Sequence, residues 1–279
     1  MHILLYKEKE VSILFKNYID FSSITRITIK VGTSTLTHDN GKLNILRIEK
    51  LVRTLADIKN RGIEVVLVTS GSIGVGVTAL NLPEKPNVVS QKQAAAAVGQ
   101  LELMFLYHKL FSEYSIKIGQ VLFTKDVVDD KVRKKNVINT LAQLLEYDVI
   151  PVINENDTVS IDELVFGDND TMSATVSVLT NSQLLIILTD IDGLHTKNPR
   201  KDSSAKLIDI VEDITPEIES YAGGVGSSRG TGGMITKIMA AKYATAWGVN
   251  VIVVNGKNPS IAGKLLDGKQ AGTLFVAKT

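Results

Sequence analysis

The chain has 279 residues and a mass of 30.3 kDa, which fits one large domain or two small ones. Its 31 Lys and Arg residues and 30 Asp and Glu residues give a formal net charge of +1, so a broad nucleic-acid-binding face is not expected. Cysteine is absent, which excludes disulfide scaffolds, thiolate metal sites and cysteine nucleophiles. A hydrophobic content of 44% indicates a folded globular chain.

The apolar segments are too short for a membrane protein. None reaches the roughly 18–20 residues of a membrane helix, and the longest, such as residues 184–188, have the length of a strand. Charged residues at 7–10 interrupt the N-terminus where a signal peptide has its apolar region. We therefore expect a cytoplasmic protein that does not associate with a membrane.

Short β-branched apolar runs alternate along the chain with longer segments in which apolar residues recur at helical spacing. The short runs predict buried parallel strands. They are residues 27–31, 65–68, 118–123, 149–153, 184–188 and 251–254. The longer segments predict amphipathic helices at 45–58, 137–145 and 234–247. This alternation predicts an α/β fold with an open, largely parallel sheet and helices on both faces.

Four of the predicted strands lead into small polar residues, glycines and carboxylates. These segments are 30–34, 69–74, 154–158 and 189–193. A polar loop after a strand is common by itself. Ligands of open parallel sheets bind beyond the carboxyl ends of the strands, however, so four such loops together predict a binding site there.

The strongest local motif is the segment 230–237, Gly-Thr-Gly-Gly-Met-Ile-Thr-Lys, which leads into a predicted helix. Backbone N–H groups at a helix N-terminus bind phosphate, and Lys237 adds a positive charge. A flexible loop before an ordinary helix is the alternative explanation. The motif differs from a Walker A loop, because Thr236 precedes the lysine.

Gly71, Gly74 and Gly76 follow the second predicted strand in the order G-x-x-G-x-G. A Rossmann dinucleotide site has the reverse spacing, follows the first strand and is completed by an acidic residue about 20 positions later. We therefore exclude a nicotinamide-dependent enzyme.

Lys30 and Asp170 are charged residues in places where a partner is expected. Lys30 ends an apolar strand, so its ammonium group either reaches solvent or binds an anion. Asp168 and Asp170 precede a predicted helix that starts near Thr171, and Asp170 is suited to cap it. The two carboxylates could also hold lysines or a Mg²⁺ ion.

None of the four histidines, His2, His38, His108 and His195, lies in a dense polar motif. A hydroxyl group that accepts phosphate usually needs a positioned base. A carboxylate acceptor is ionised at neutral pH and needs positive charge instead. The lysines and the glycine N–H groups therefore suit phosphoryl transfer to a carboxylate.

Together these motifs resemble those of the amino acid kinase superfamily and, within it, the glutamate 5-kinase family. The resemblance covers roughly residues 25–279. It lies in the segments 30–36, 69–73, 93–100, 154–159, 166–170, 188–194 and 230–237. It implies an α/β/α sandwich that phosphorylates the γ-carboxylate of L-glutamate with ATP and Mg²⁺, the first step of proline biosynthesis.

The resemblance also implies the residues that bind ATP and carry out the transfer. Lys30 and Lys237 would stabilise the transferred phosphoryl group, and Asp170 would orient both lysines. Mg²⁺ would be held mainly by the ATP phosphates. The ATP site would contain Lys30, Thr189, Asp190, Thr231, Gly232, Gly233, Met234, Ile235, Thr236 and Lys237.

Three further residues would bind glutamate according to the resemblance. They are Ser70, Asp157 and Asn169. Asp157 can pair with the α-ammonium group of glutamate, whereas Ser70 and Asn169 can donate hydrogen bonds to its oxygens.

The resemblance implies a single kinase domain at residues 25–279, with the acceptor site mainly in its N-terminal part and the ATP site in its C-terminal part. Residues 1–24 are expected to be an N-terminal extension of uncertain role. Many family members carry a C-terminal PUA domain, and we expect this chain to be a form without it. Expected partners are L-glutamate, ATP, proline as a feedback inhibitor and a second copy of the chain, but no nucleic acid or membrane.

Two alternatives stay open. Acetylglutamate, aspartate, carbamate and uridylate kinases belong to the same superfamily. Asp157 favours glutamate over acetylglutamate, because an acetylated amine has no charge to pair. The other alternative is a nucleotide-binding regulator without catalytic activity, against which the presence of both Lys30 and Lys237 argues.

Overall fold

The computed structural model describes residues 15–38, 40–124, 126–159, 169–222 and 233–278. These residues contain the strands β1 (Arg26–Val31), β2 (Glu64–Val68), β3 (Ile118–Phe123), β4 (Ile150–Glu155), β5 (Leu184–Thr189), β6 (Ile210–Val211), β7 (Asn250–Asn255) and β8 (Thr273–Phe275). The helices are α1 (Thr33–Leu36), α2 (Ile45–Asn60), α3 (Ser72–Ala79), α4 (Val89–Ser112), α5 (Asp126–Asp129), α6 (Lys131–Glu146), α7 (Asn169–Leu179), α8 (Pro216–Ser220), α9 (Met234–Ala246) and α10 (Ile261–Leu266). Short 3-10 helices lie at Phe15–Asn17 and Phe21–Ser23.

The strands form one sheet in the order β3-β4-β2-β1-β5-β7-β8-β6. The first six strands of this order run parallel to one another, whereas β8 pairs antiparallel with β7 and β6 pairs parallel with β8. The carboxyl ends of six strands therefore share one edge. β1 lies in the interior of the sheet between β2 and β5, which places the end of β1 near the middle of that edge.

The central strands are covered on both faces, which explains their continuous apolar sequences. Every residue of β4 and β5 is buried. Ile27 and Ile29 of β1 belong to the largest core cluster, together with residues of α2, α4 and α10. Leu185 and Ile187 of β5 pack with α7 and α9 in a second cluster. The molecule is thus a three-layered α/β/α sandwich, and the predicted fold class is confirmed.

The six predicted strands and three predicted helices are present, with bounds shifted by a few residues. The 24-residue helix α4 was not predicted as a helix, because its apolar side chains do not form a single face. Ala95 and Ala96 are buried on it, whereas Leu101 and Phe105 are largely exposed. Strands β6 and β8 also escaped prediction, since two or three residues are too few to show a period.

Residues 15–24, which fall within the predicted N-terminal extension, pack into the largest core cluster through four buried side chains. These are Phe15, Ile19, Phe21 and Ile24. The same segment borders an open cavity of about 840 Å³ at the amino ends of β1 and β2, at the opposite end of the strands from the predicted binding site. Among the helices described, none combines the length and hydrophobicity needed to cross a membrane.

Helices α3 and α4 cross with their backbones in contact at two glycines. A Cβ atom on Gly76 would overlap the carbonyl group of Ala95, and one on Gly99 would overlap the carbonyl group of Ser72. Gly71, just before α3, has a φ of 98°, in the left-handed region that favours glycine. Helix crossing and turn geometry account for this glycine-rich sequence without a dinucleotide site.

We expect Gly99→Ala to destabilise the protein by about 2 kcal/mol or more, because the added methyl group has no space between α3 and α4. Gly263→Ala is the matched control. A Cβ atom added to Gly263 would lie 3.6 Å from Thr54 Cγ2, which is an ordinary van der Waals distance. Alanine also has a higher helix propensity than glycine, which suits its place in α10. Urea unfolding followed by circular dichroism measures both variants. A Gly99→Ala midpoint equal to that of the wild type would contradict the close crossing.

Candidate active site

Lys30, Asp170 and Lys237 come together at the carboxyl end of the parallel strands. Lys30 is the penultimate residue of β1, whereas Asp170 and Lys237 lie in the first turns of α7 and α9. Lys30 Nζ lies 2.6 Å from Asp170 Oδ1, and Lys237 Nζ lies 2.9 Å from Asp170 Oδ2. Each carboxylate oxygen therefore binds one ammonium group.

This triad of charges is almost completely removed from solvent. The exposed fraction is 7% for Lys30, 0% for Asp170 and 3% for Lys237. Burial by itself raises the pKa of Asp170, but the charges and hydrogen bonds of the two lysines outweigh it and hold that pKa well below its usual range. The Asp170 carboxyl group is consequently ionised at neutral pH.

The expectation that Asp170 caps a helix starting near Thr171 is wrong. Helix α7 already includes Asn169, so Asp170 is itself a helical residue. Its carboxylate is placed between the two lysines and also accepts a hydrogen bond from Thr236 Oγ1 at 2.9 Å. Long-range charge pairing, which local sequence does not reveal, determines the orientation of this side chain.

A chain of side-chain amides starts at the residue next to Asp170. Asn169 Nδ2 donates to the carbonyl oxygen of Thr69 at 2.6 Å and to Ser70 Oγ at 2.8 Å. It also lies 2.9 Å from Asn154 Oδ1, and Asn154 Nδ2 donates to Gln100 Oε1 at 2.8 Å. The expected donation from Asn169 to a ligand oxygen is therefore not supported, because its Nδ2 group already faces three protein acceptors.

Asp157 lies two residues beyond β4, at the same edge of the sheet as the triad. Its Oδ2 accepts a hydrogen bond of 2.5 Å from the hydroxyl of Ser72, the first residue of α3. Ser72 is buried at the crossing of α3 with α4. The position of the Asp157 carboxylate is thus tied to that crossing.

Thr189 and Asp190, which were predicted for the nucleotide site, lie at the carboxyl end of β5 and directly after it. Thr189 is buried, and Asp190 forms an ion pair of 2.7 Å with Arg200. Burial raises the pKa of Asp190, but its hydrogen bonds and the charge of Arg200 lower it overall. Asp190 is therefore an ionised acceptor at neutral pH.

The start of α9 carries the described part of the glycine-rich motif. Gly233 precedes the helix and supplies no side-chain cap. The first turn consists of Met234, Ile235, Thr236 and Lys237. Uncapped N–H groups beside a lysine suit the oxygens of a phosphate group. Thr231 and Gly232 lie outside the described residues.

Within the described ranges, no group of three or more His, Asp or Glu side chains is arranged to hold a metal ion. The Asp170 carboxylate binds the two lysines, and Asp168 lies outside those ranges. The donor groups placed here suit phosphate oxygens better than a cation held by protein ligands.

Ser72, Gln100 and Asn154 were not predicted to belong to the site, although each lies within a motif quoted for the resemblance. Gln100 could have been singled out from the sequence, because it is a long polar residue in an Ala-rich segment. The contacts of these residues depend on the crossing of α3 and α4, which the spacing of the motifs does not show.

A family model described as the amino acid kinase family matches residues 25–255. A glutamate 5-kinase from Clostridium perfringens is 55% identical over 257 residues, which are 91% of this chain and 96% of that protein. A glutamate 5-kinase from Listeria innocua is 50% identical over 257 residues, which are 91% of this chain and 93% of that protein.

Solved structures show the same fold at low sequence identity. A carbamate kinase from Giardia lamblia bound to AMP-PNP has a TM-score of 0.63 and 14% identity, and the match covers 92% of this chain and 100% of that chain. A UMP kinase from Ureaplasma parvum has a TM-score of 0.61 and 12% identity, and the match covers 91% of this chain and 99% of that chain. These two matches concern the fold alone.

We expect Asp170→Asn to destabilise the protein by about 3 kcal/mol at pH 7, because it leaves two buried ammonium groups without their counter-ion. The pKa of the Asp170 carboxyl group is lower in the folded state than its unfolded value of about 3.9. Its ionised form therefore stabilises the folded state when the pH is above that unfolded value, and the stabilisation is lost as the pH falls further. The difference in unfolding free energy between the two proteins should thus be constant from pH 8 to about 5 and shrink below about pH 4. Denaturant titrations at several pH values measure it.

Asp267→Asn is the control for this variant, since it breaks a more exposed pair in which Asp267 lies 2.9 Å from Arg61. We expect that change to cost less than about 1 kcal/mol. Equal losses in the two variants would contradict the special role of Asp170.

Proposed function

Because the chain belongs to the amino acid kinase family and, within it, to the glutamate 5-kinases, we propose that it transfers the γ-phosphoryl group of ATP to the γ-carboxylate of L-glutamate. This reaction gives γ-glutamyl phosphate, the first intermediate of proline biosynthesis. The observation that carries the proposal is the buried triad at the edge of the sheet, in which Asp170 holds Lys30 and Lys237.

The proposed reaction needs positive charge more than it needs a base. A carboxylate oxygen of glutamate attacks the γ-phosphorus, the bond to the bridging oxygen breaks, and ADP leaves with that electron pair. Both reactants are anionic, and the transition state spreads charge over the phosphoryl oxygens. Ammonium groups fixed before the substrates arrive stabilise that charge without reorganising.

Lys30 and Lys237 meet this need because Asp170 fixes the position of both. An ammonium group has three N–H donors, so a lysine that binds Asp170 can also donate to a phosphoryl oxygen. The triad carries two positive charges and one negative charge, and the net positive charge favours an incoming phosphate. Asp170 is therefore proposed as a positioning residue for both lysines.

Asp157, Ser70 and Asn169 are proposed to bind glutamate. Asp157 supplies a carboxylate for the α-ammonium group. The Ser70 oxygen accepts a hydrogen bond from Asn169, which leaves its own O–H for a carboxylate oxygen of the substrate. Asn169 Oδ1 has no partner among the described residues, so we propose that it accepts from the α-ammonium group and does not donate.

We propose that ATP binds along the end of β5 and the start of α9, with Mg²⁺ held mainly by its phosphates. Magnesium usually binds through phosphate oxygens and few protein ligands. The division into an extension at 1–24 and a kinase domain at 25–279 stays a prediction. Self-association, inhibition by proline and a cytoplasmic location also stay predictions.

An acyl phosphate assay tests the function directly. Hydroxylamine traps the labile product as a hydroxamate in the presence of ATP, Mg²⁺ and one acceptor at a time. We expect hydroxamate with L-glutamate and far less with N-acetyl-L-glutamate or L-aspartate. Asp157 pairs with a free ammonium group, which N-acetyl-L-glutamate lacks, and L-aspartate has a shorter distance between its ammonium group and its side-chain carboxylate. A higher rate with either of the other acceptors would contradict the proposal.

Lys237→Ala should lower kcat about 100-fold or more and change the glutamate KM much less, because the lost charge acts on the transferred phosphoryl group. Lys242→Ala is the matched control. Lys242 lies on the same helix α9, but its side chain is exposed and pairs with Glu219. Steady-state kinetics should leave that variant near the wild type. Near-normal turnover of Lys237→Ala would refute the assignment.

Asp157→Asn should raise the glutamate KM about tenfold or more, because a neutral amide replaces the charge paired with the α-ammonium group. The ATP KM should stay within about threefold of the wild-type value. Initial rates at varied glutamate and saturating ATP measure the effect. A glutamate KM equal to that of the wild type would rule out this pairing.

A further inference from the structure

We propose that Gln100 is a positioning residue for glutamate, because it holds the side-chain amide of Asn154, whose Oδ1 is one of the acceptors that hold Asn169. The inference rests on the proposed function and adds to the site a residue on helix α4. The juxtaposition behind it is the row of hydrogen bonds from Gln100 through Asn154 and Asn169 to the backbone of Thr69.

The direction of every hydrogen bond in this row follows from one backbone carbonyl. The carbonyl oxygen of Thr69 can only accept, so the group of Asn169 that faces it must be Nδ2. The atom of Asn154 that faces Asn169 Nδ2 must then be Oδ1. Asn154 Nδ2 is thereby directed to Gln100, whose Oε1 accepts from it. Reversing any one amide would bring two donors or two acceptors together.

Gln100 accepts the last hydrogen bond of this row, but its own Nε2 group is in an unfavourable environment. Its side chain is about nine-tenths buried, with an exposed fraction of 9%. Its Nε2 group is buried and has no hydrogen-bond partner in the described part of the chain. A buried donor without an acceptor is unfavourable. The arrangement persists because the acceptor atom Oε1 is needed for Asn154.

Helix α4 supports the predicted glutamate site at a second point along the same face. Tyr107, two helical turns beyond Gln100, is buried, and its hydroxyl lies 3.0 Å from Thr69 Oγ1. Burial raises the pKa of Tyr107, so this group stays a neutral hydroxyl. Gln100 and Tyr107 thus hold the row of amides at its two ends, at Asn154 and at Thr69.

The consequence for binding lies at Asn169. With its Nδ2 group held by protein acceptors, Asn169 presents Oδ1 as its remaining polar atom. An acceptor at this position suits the α-ammonium group of glutamate, whereas a donor would repel it. Without the Gln100 acceptor, the Asn154 amide can turn, and its Oδ1 no longer restrains Asn169. Loss of Gln100 should therefore weaken glutamate binding and leave the phosphoryl transfer machinery in place.

Gln100→Met tests this inference by keeping the length of the side chain and removing its polar atoms. In the hydroxamate assay on the full chain, we expect the glutamate KM to rise about tenfold. The ATP KM and the kcat at saturating glutamate should stay within about threefold of wild-type values. A merely structural defect would not separate the glutamate KM from these two constants. An unchanged glutamate KM would overturn the proposal.

Gln100→Glu is the conservative variant, since its carboxyl oxygen can still accept from Asn154 Nδ2. We expect its glutamate KM within about threefold of the wild-type value, and this result carries the test if Gln100→Met does not fold. A rise as large as that of Gln100→Met would overturn the role of the acceptor atom.

Leu103→Val controls for general damage to α4, because Leu103 is a fully buried neighbour outside the row of amides. It should lower the melting temperature without changing the glutamate KM. A tenfold rise in that variant would show that Gln100 acts only through stability. If the wild type gave no hydroxamate with glutamate, both the proposed function and this inference would be refuted. If the wild type were active and Gln100→Met had an unchanged glutamate KM, this inference alone would be refuted.

Discussion

The site depends on one buried carboxylate that two ammonium groups share. Two like charges close together in a poorly solvated interior repel each other, and each also loses its hydration. Asp170 offsets both effects, because each of its oxygens binds one lysine. The pair of lysines is thereby fixed in place, and the three groups together carry a net charge of +1 at the edge of the sheet.

Three separate parts of the chain must come together for this contact to form. The sheet supplies Lys30 from its interior strand β1. Helices α7 and α9 supply Asp170 and Lys237, and both helices share one apolar cluster with β5. The charged residues thus stand on closely packed elements, which is the support that a preorganised site needs. The side chain of Asp157 is held in a comparable way, because its partner Ser72 lies at the glycine-mediated crossing of α3 and α4.

The sequence predicted what short-range pattern controls. Continuous apolar runs predicted the buried strands, and the polar residues after them predicted the functional edge. The motifs singled out Lys30, Asp170 and Lys237, and the structure brings these three together. The sequence pattern failed where contacts between distant parts of the chain determine the structure. Helix α4 lacks a single apolar face and was not predicted. The Asp170 side chain binds two lysines and does not cap a helix. The direction of the amide row depends on the carbonyl group of Thr69, which no residue pattern reveals.

Lys30 and Lys237, held by Asp170, are proposed to mark the place of phosphoryl transfer. A crystal structure of the protein with AMP-PNP, Mg²⁺ and L-glutamate would locate the transferred group relative to both lysines. We predict that the γ-phosphoryl oxygens lie within hydrogen-bond distance, about 3 Å, of both Nζ atoms, with the γ-carboxylate of glutamate next to the γ-phosphorus. A γ-phosphoryl group bound away from both lysines, with the triad intact, would rule out this role of the two lysines.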